Sequence, residues 1–438
     1  MASQLPPATP KSVLRGHQAQ VHATAFVRDN QRLASGDAEG YVVLWDLTIL
    51  RPRAVWRAHT NAILGIAPWG PDKIITHGRD HQLIIWKVTE DDELCLSTTL
   101  PLDPSPDSRP KPWVVHILEV NTMNFCSFGC CPDDEAGSTG QLLIAVPNTL
   151  ASESVDIYKF PSQERLHTIH SSEKDEKSGM VMALALFHLD LSLTLVTAYE
   201  NGLATVFQQD AAGSWHLVYR AQSHSQPVLS LDVSLNKEYF LTSSADALLV
   251  KHPIPRPPGI HSLAMNTQTP GGGESSAPRS GNGKSLLSAA LASESRPAEP
   301  RQMIVRKLQT EPLKVLNTKH SGQQSLRIRS DGKIFATAGW DSKVRVYSAQ
   351  TMKELAVLKW HQVGCYTVAF ASTNISTEDG VPDGLSTNER GTSDAVGKVT
   401  VTPISEVSVK ERRIKQAKEA HWLAAGSKDG KISLWDIY

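Results

Sequence analysis

Ala424-Ala425-Gly426-Ser427-Lys428-Asp429-Gly430-Lys431-Ile432-Ser433-Leu434-Trp435-Asp436 is the stretch whose reading decides the fold. The same arrangement recurs upstream as Leu33-Ala34-Ser35-Gly36 followed by Val42-Val43-Leu44-Trp45-Asp46. It recurs again as Ile75-Thr76 followed by Leu83-Ile84-Ile85-Trp86. A histidine stands at a nearly constant distance before four of the third-strand positions. His17 precedes Trp45 by 28 residues and His59 precedes Trp86 by 27. His224 precedes His252 by 28, and His320 precedes Tyr347 by 27. One such match is weak; repetition at one spacing is a strong sign of an internal repeat.

The remaining arithmetic is compatible with this. The chain has 438 residues, 44 Lys+Arg against 45 Asp+Glu, and 40% hydrophobic residues. Length alone suggests about three domains, and the repeats replace that with one ring. The near-neutral balance excludes phosphate-backbone binding as the main task, because that leaves a basic footprint. Five cysteines do not make a secreted disulfide framework. Met1-Ala2-Ser3-Gln4-Leu5-Pro6-Pro7 has no signal-peptide pattern, and Met180 to Val196 contains His188 and Asp190, so no membrane span is expected.

These segments resemble WD40 repeats, whose period is about 40–45 residues. The resemblance implies an all-β, seven-bladed propeller with four antiparallel strands per blade. Third strands are expected to end at Trp45, Trp86, Tyr158, Phe207, His252, Tyr347 and Trp435. After Trp435-Asp436 too little chain follows for a fourth strand, so residues 11–15 are expected to complete blade 7 and close the ring. Residues 1–10 are expected to be disordered and 11–438 to be the propeller.

The resemblance also implies a hydrogen-bonded tetrad of His, Ser/Thr, Asp and Trp in each blade. By position these are His17, Ser35, Glu39 and Trp45 in blade 1, and His59, Thr76, Asp80 and Trp86 in blade 2. Blade 5 offers His224, Thr242 and Asp246, with His252 at the Trp place. Blade 6 offers His320, Thr337, Asp341 and Tyr347. Blade 7 offers His361, Asp429 and Trp435, with Ala425 where the hydroxyl belongs. Blade 4 has Asn201 at the Asp place and no well-spaced histidine. His59, Thr76 and Asp80 could be read as a catalytic triad, but catalysis needs one constellation and not a copy per repeat. Neither catalytic residue, cofactor nor metal is expected.

Third-strand ends are separated by 41, 72, 49, 45, 95 and 88 residues, so three gaps carry inserts. The first, with its core at 101–112, lies between blades 2 and 3 and is expected to be an extended, exposed connection. The second, at about 253–311, is rich in Pro, Gly and Ser and is expected to be disordered. Its Gly281-Asn282-Gly283-Lys284-Ser285 mimics a phosphate-binding loop, but Pro278 replaces the first glycine. The third, 371–420, has a polar first half and a run of helix formers from Val409 to Ala420. Lys410 to Ala420 holds five basic and two acidic residues, which suits an acidic partner, a nuclear import signal or simply a solvated face.

In such propellers the second and third inserts share one face. The opposite face is left open and is expected to present Trp340 and Trp360 as partner anchors, with Arg79 and Lys428 at the place equivalent to Trp340. The competing reading packs both tryptophans on neighbouring blades. Cys126, Cys130 and Cys131, with His116 nearby, lack metal-site spacing and read as buried thiols. Asn374-Ile375-Ser376 matches a glycosylation sequon by pattern alone.

Val13-Leu14-Arg15-Gly16-His17, Arg57-Ala58-His59 with Ile63-Leu64, Val120-Asn121-Thr122-Met123-Asn124-Phe125-Cys126 and the tail from His421 to Tyr438 resemble the ASTRA-associated WD40 family of fungi. A broader similarity is to guanine-nucleotide-binding beta-subunit-like proteins. The first resemblance implies a nuclear, and also cytoplasmic, non-enzymatic subunit of the ASTRA assembly, tied to chromatin remodelling. It implies partners such as a phosphatidylinositol-3-kinase-like protein, the Tel–Tti co-chaperone subunits and RuvB-like ATPases, with no direct nucleic-acid or membrane contact. The alternatives are a heterotrimer-type signalling beta subunit or a propeller enzyme with a central-channel site.

Overall fold

The computed structural model describes residues 8–103, 109–121, 123, 125–134, 136–171, 178–257, 308–373 and 408–437. Among them, 28 strands form seven four-stranded antiparallel sheets. These are the blades of a seven-bladed β-propeller. Strands run in chain order from the axis to the rim in blades 1 to 6. In blade 7, Ser12–Arg15 pairs antiparallel with Lys431–Asp436 as the outermost strand, which closes the ring. Outermost position follows from what is left: Lys431–Asp436 has one unpaired edge, and an open edge invites pairing.

Third strands are buried on both sides because each blade is sandwiched between two others. Val42, Val43, Leu44 and Trp45 are all 2% exposed or less. Such strands read as continuous apolar runs and not as alternation. Seven separate apolar cores result, one for each blade boundary. The core between blades 7 and 1 joins Val21, Leu33 and Trp45 to Trp422, Ile432 and Leu434. Blades distant in sequence thus share one apolar core.

Innermost strands are also stitched across blades by side chains. Asp232 accepts from the Ile328 amide at 2.7 Å, and Ser325 from the Val368 amide at 3.2 Å. Recurrent bulges shift the ladder just before the third-strand aromatic, at Leu44/Trp45, Ile85/Trp86, Ile157/Tyr158, Val206/Phe207 and Val346/Tyr347. A bulge re-aims side chains locally, and in blades 1 and 2 it falls beside the tryptophan of the polar relay.

The inserts are rooted on one face. Trp113–Glu119 is the fourth strand of blade 2, so the first insert lies within that blade, between its third and fourth strands. This corrects its expected position between blades. The segment before 101–112 is itself partly buried. Helix α1 (Asp92–Cys95) places Glu93, 1% exposed, among Arg28, Arg32 and Arg53, with Arg32 at 3.2–3.3 Å and Arg53 at 3.0 Å. The chain then climbs the rim of blade 1: Ser97 accepts from the Val55 amide, and the Leu102 amide donates to Gly16. Pro101 and Pro112 are buried, while Leu102, Asp103, Pro110 and Lys111 are exposed.

The second insert joins the third and fourth strands of blade 5, and the third joins the first and second strands of blade 7. The expected disorder at 1–10, 253–311 and 371–420 falls largely outside the described residues, as do Gly281 to Ser285 and Asn374. Helix α2 (Val409–Glu419) ends the third insert. Ser408 and Glu411 form a capping box, Ser408 Oγ accepting from the Glu411 amide at 3.2 Å and Glu411 accepting from the Ser408 amide at 2.7 Å. Ala417 anchors the helix in the blade 7–1 core. No helix among the described residues is long and apolar enough to cross a membrane.

Candidate functional site

Blade 2 assembles its four residues as a relay. Trp86 Nε1 donates to Thr76 Oγ1 at 2.8 Å, Thr76 Oγ1 lies 2.8 Å from His59 Nε2, and His59 Nδ1 lies 2.8 Å from Asp80. A carboxylate only accepts, so Nδ1 carries the proton and Nε2 accepts from the hydroxyl. Burial pushes the Asp80 carboxyl up, but the hydrogen bonds from His59 and the Thr60 amide bring it below the usual range. Blade 5 works likewise. His224 lies 2.8 Å from Thr242 and 3.1 Å from Asp246. His252 replaces the indole at 2.9 Å and extends the relay to Tyr219 at 2.7 Å. Burial, with the neighbouring His224, lowers His252 to about 3, so it is neutral.

Blade 1 has the relay with a different acid. His17 Nδ1 lies 2.7 Å from Asp37, Nε2 lies 2.7 Å from Ser35, and Trp45 donates to Ser35 at 2.8 Å. Glu39, the residue expected from position, does not join. Asp37 ends the second strand and receives the Glu39 and Tyr41 amides at 3.0 Å each, so the turn itself fixes its carboxylate beneath the imidazole.

Blades 6 and 7 depart further. His320 is not in the network: its Nδ1 lies 3.8 Å from Asp341 and its side chain is 43% exposed. Arg345 takes Asp341 bidentately at 2.6 and 3.1 Å. Gln323 accepts from Thr337 at 2.7 Å in place of the imidazole, and Tyr347 stacks on Phe335 with ring centroids 5.0 Å apart. In blade 7, Ser433 supplies the hydroxyl that Ala425 lacks. Trp435 donates to it at 2.9 Å and His361 lies 2.8 Å away. Ala425 and Ser433 are direct cross-strand partners, which is why the substitution works. Asp429 is bound by Lys431 at 2.5 Å, and no hydrogen bond links it to His361 among the described residues.

Blades 3 and 4 use other networks. Asp156 accepts from Asn148 at 2.9 Å and Thr168 at 2.6 Å. Thr197 and Thr205 lie 2.6 Å apart, with Tyr199 hydroxyl 3.0 Å from Thr197. Asn201 stays in its turn and accepts from the Leu203 amide.

The open face carries the turns between second and third strands and the connections between blades. Trp340 is 48% exposed there. It donates to Gln324 at 2.8 Å and lies over Gly322, where a Cβ would come within 2.1 Å of the ring. Trp360 is half-buried, edge-on to His361 at 4.9 Å, and packs on the blade 6–7 core. The structure therefore displays one of the two tryptophans and packs the other. Lys428 is exposed, and its amide donates to Gly364, where an added Cβ would come within 3.2 Å of the Trp340 backbone. Arg79 sits elsewhere, 4.4 Å over the exposed Phe125 ring. Position alone did not single out Phe125 and Met123, which is 70% exposed, as display residues. Cys126, Cys130 and Cys131 are free thiols, and burial raises Cys130 to about 11 and Cys131 to about 12. No group of metal-binding side chains occurs among the described residues.

A family model described as ASTRA-associated protein 1 matches residues 10–435. The chain belongs to the ASTRA-associated protein 1 family. The relative of that name from Pyricularia oryzae is 51% identical, over 99% of this chain and 98% of its own length. The one from Verticillium alfalfae is 53% identical over 98% and 93%. The one from Schizosaccharomyces pombe is 33% identical over 83% and 93%. In this family member the Val120 to Cys126 stretch connects blades 2 and 3, so it places Met123 and Phe125 on the open face.

Proposed function

We propose that this family member is a non-catalytic scaffold subunit of a nuclear ASTRA assembly. In that role it serves chromatin remodelling and the chaperone-assisted maturation of phosphatidylinositol-3-kinase-like proteins. The observation that carries the reading is the family match along nearly the whole ring. It is supported by the polar relays, which recur as blade fasteners and leave no unique reactive constellation among the described residues. The open face, with Trp340 and Lys428 in one patch and Arg79 with Phe125 in another, is the docking surface for Tel–Tti co-chaperone subunits and RuvB-like ATPases. Exposed tryptophans make strong anchors. Native affinity purification recovers those subunits; a chain that elutes alone and monomeric refutes the reading. Trp340→Ala reduces their recovery at least tenfold with an unchanged melting temperature, and unchanged recovery removes Trp340 from the interface.

A further inference from the structure

We infer that the groove between helix α2 and the blade 1 turn at residues 47–50 binds an acidic, leucine-bearing segment of a partner protein. It lies on the face opposite Trp340 and does not depend on membership of the ASTRA assembly. The groove has a volume of about 320 Å³, and its floor is Leu47, Ala417 and Trp422, all at most 7% exposed. One rim is apolar and exposed, with Ile49 at 51% and Leu50 at 36%. The other is Arg413 and Gln416 of helix α2, and Val409, 65% exposed, stands four residues before Arg413 on the same stripe of that helix. Leu50 has a φ of 55°, a left-handed conformation that a leucine rarely adopts. The turn thus holds an apolar side chain out at a conformational cost.

Charge selects the occupant. Arg413 lines the groove and is exposed, and Arg51, next in the chain after the lining residue Leu50, is exposed as well. Arg412 of helix α2 has a partner of its own, and beside it the helix carries Lys410, Arg413, Lys415 and Lys418 against two acids. Glu411 is committed to the Ser408 amide at 2.7 Å, and Glu419 lies 3.9 Å from Lys415. On the blade side, Asp46 is occupied by Arg32 at 3.4 Å and by the Thr48 amide and hydroxyl. The uncompensated charge is positive, and the surface between is apolar. A leucine seated on Trp422 with carboxylates beside it matches both, in the manner of other short acidic motifs read by basic clusters.

The test is fluorescence anisotropy of the full chain with a short labelled peptide of leucines flanked by glutamates. Two controls replace the glutamates by lysines or the leucines by alanines. The glutamate–leucine peptide is expected to bind, and both controls to lose at least tenfold. Arg413→Glu and Ile49→Asp, checked for an unchanged melting temperature, each lose about tenfold, and Arg413→Lys retains most of the binding. Added salt weakens it, as exposed charge attraction requires. Equal binding of the lysine peptide overturns the inference, as does indifference to Arg413→Glu. So does absence of binding, the result if the chain's own residues 374–407 fill the groove. Self-association of the chain that Arg413→Glu abolishes assigns the groove to a second copy and equally overturns it.

Discussion

Blades 2 and 6 share the spacing, the hydroxyl and the acid, yet only blade 2 seats its histidine. His59 lies 2.8 Å from both Thr76 and Asp80, whereas His320 stands outside. What differs is the residue two places before the third-strand aromatic. That residue is Ile84 in blade 2 and Arg345 in blade 6, and in each it faces the hydroxyl directly across the ladder, as Thr76–Ile84 and Thr337–Arg345. Extended around the ring, the comparison divides the blades cleanly. Val43, Ile84 and Val250 stand there in the three blades with a full relay. Asp156, Thr205, Arg345 and Ser433 stand there in the four that reroute. A polar side chain at that buried place must find partners of its own: Asp156 and Thr205 build other networks, while Arg345 takes Asp341 and Ser433 takes His361 and Trp435.

The sharpest way to break this comparison is within blade 1. Asp37→Ala removes the acceptor of His17 and of two turn amides, and should cost about 3 kcal/mol of unfolding free energy. Glu39→Ala should change stability by less than about 0.5 kcal/mol. Chemical denaturation of both variants checks the pair, and equal effects would restore Glu39 to the network. In blade 6, Arg345→Val should cost about 2 kcal/mol, since it removes the bidentate partner of the partly solvated Asp341 and leaves it to Lys343. It should also make His320 matter. His320→Ala alone is expected within about 0.5 kcal/mol of neutral, but to cost more in the Arg345→Val background, with the coupling read from a double-mutant cycle.

Blade 7 tests the same point with a smaller effect. Ser433→Ala strands His361 and Trp435 and should cost about 1.5 kcal/mol. Ala425→Ser, which puts the hydroxyl directly across the ladder, should recover part of it.

The smallest expected effect concerns pH. Burial holds His77 and His252 near 3 and His361 near 4, against an ordinary 6.5. Between those values the unfolded chain binds more protons than the folded one, so stability rises with pH and is lost as pH falls below 6.5. Neither ring nitrogen of His77 has a partner among the described residues. His77→Leu should therefore raise the melting temperature, by about 1 kcal/mol of stability, and flatten the slope of melting temperature between pH 6 and 4. A variant that melts lower, with the slope intact, would show that His77 has a partner.

The repeat, the blade count and the closing strand were legible in the residues because each rests on short-range patterning that the ladder demands. Blade 2 and the His252 replacement in blade 5 were legible for the same reason. Glu39 and His320 misled, and the gap at Ala425 stayed unfilled, because spacing places a residue near a network without saying which neighbour reaches it first. Asp37 is two residues early and wins by the turn; Arg345 is one strand over and wins by charge; Ser433 is across the ladder and wins by proximity. The signal existed at the cross-strand position, but it carries meaning only once the register is known.

By itself, then, the sequence determined a seven-fold repeat of four strands, a ring closed by residues near its start, and the basic character of Val409–Glu419. Local propensity and periodic burial suffice for those. The tertiary structure decided which acid meets which histidine, which tryptophan is displayed, that the first insert clamps blade 1 through Glu93, and that helix α2 faces Ile49 and Leu50 across a groove. Those outcomes depend on contacts between residues tens to hundreds of positions apart, where competition among partners is settled by distance and burial.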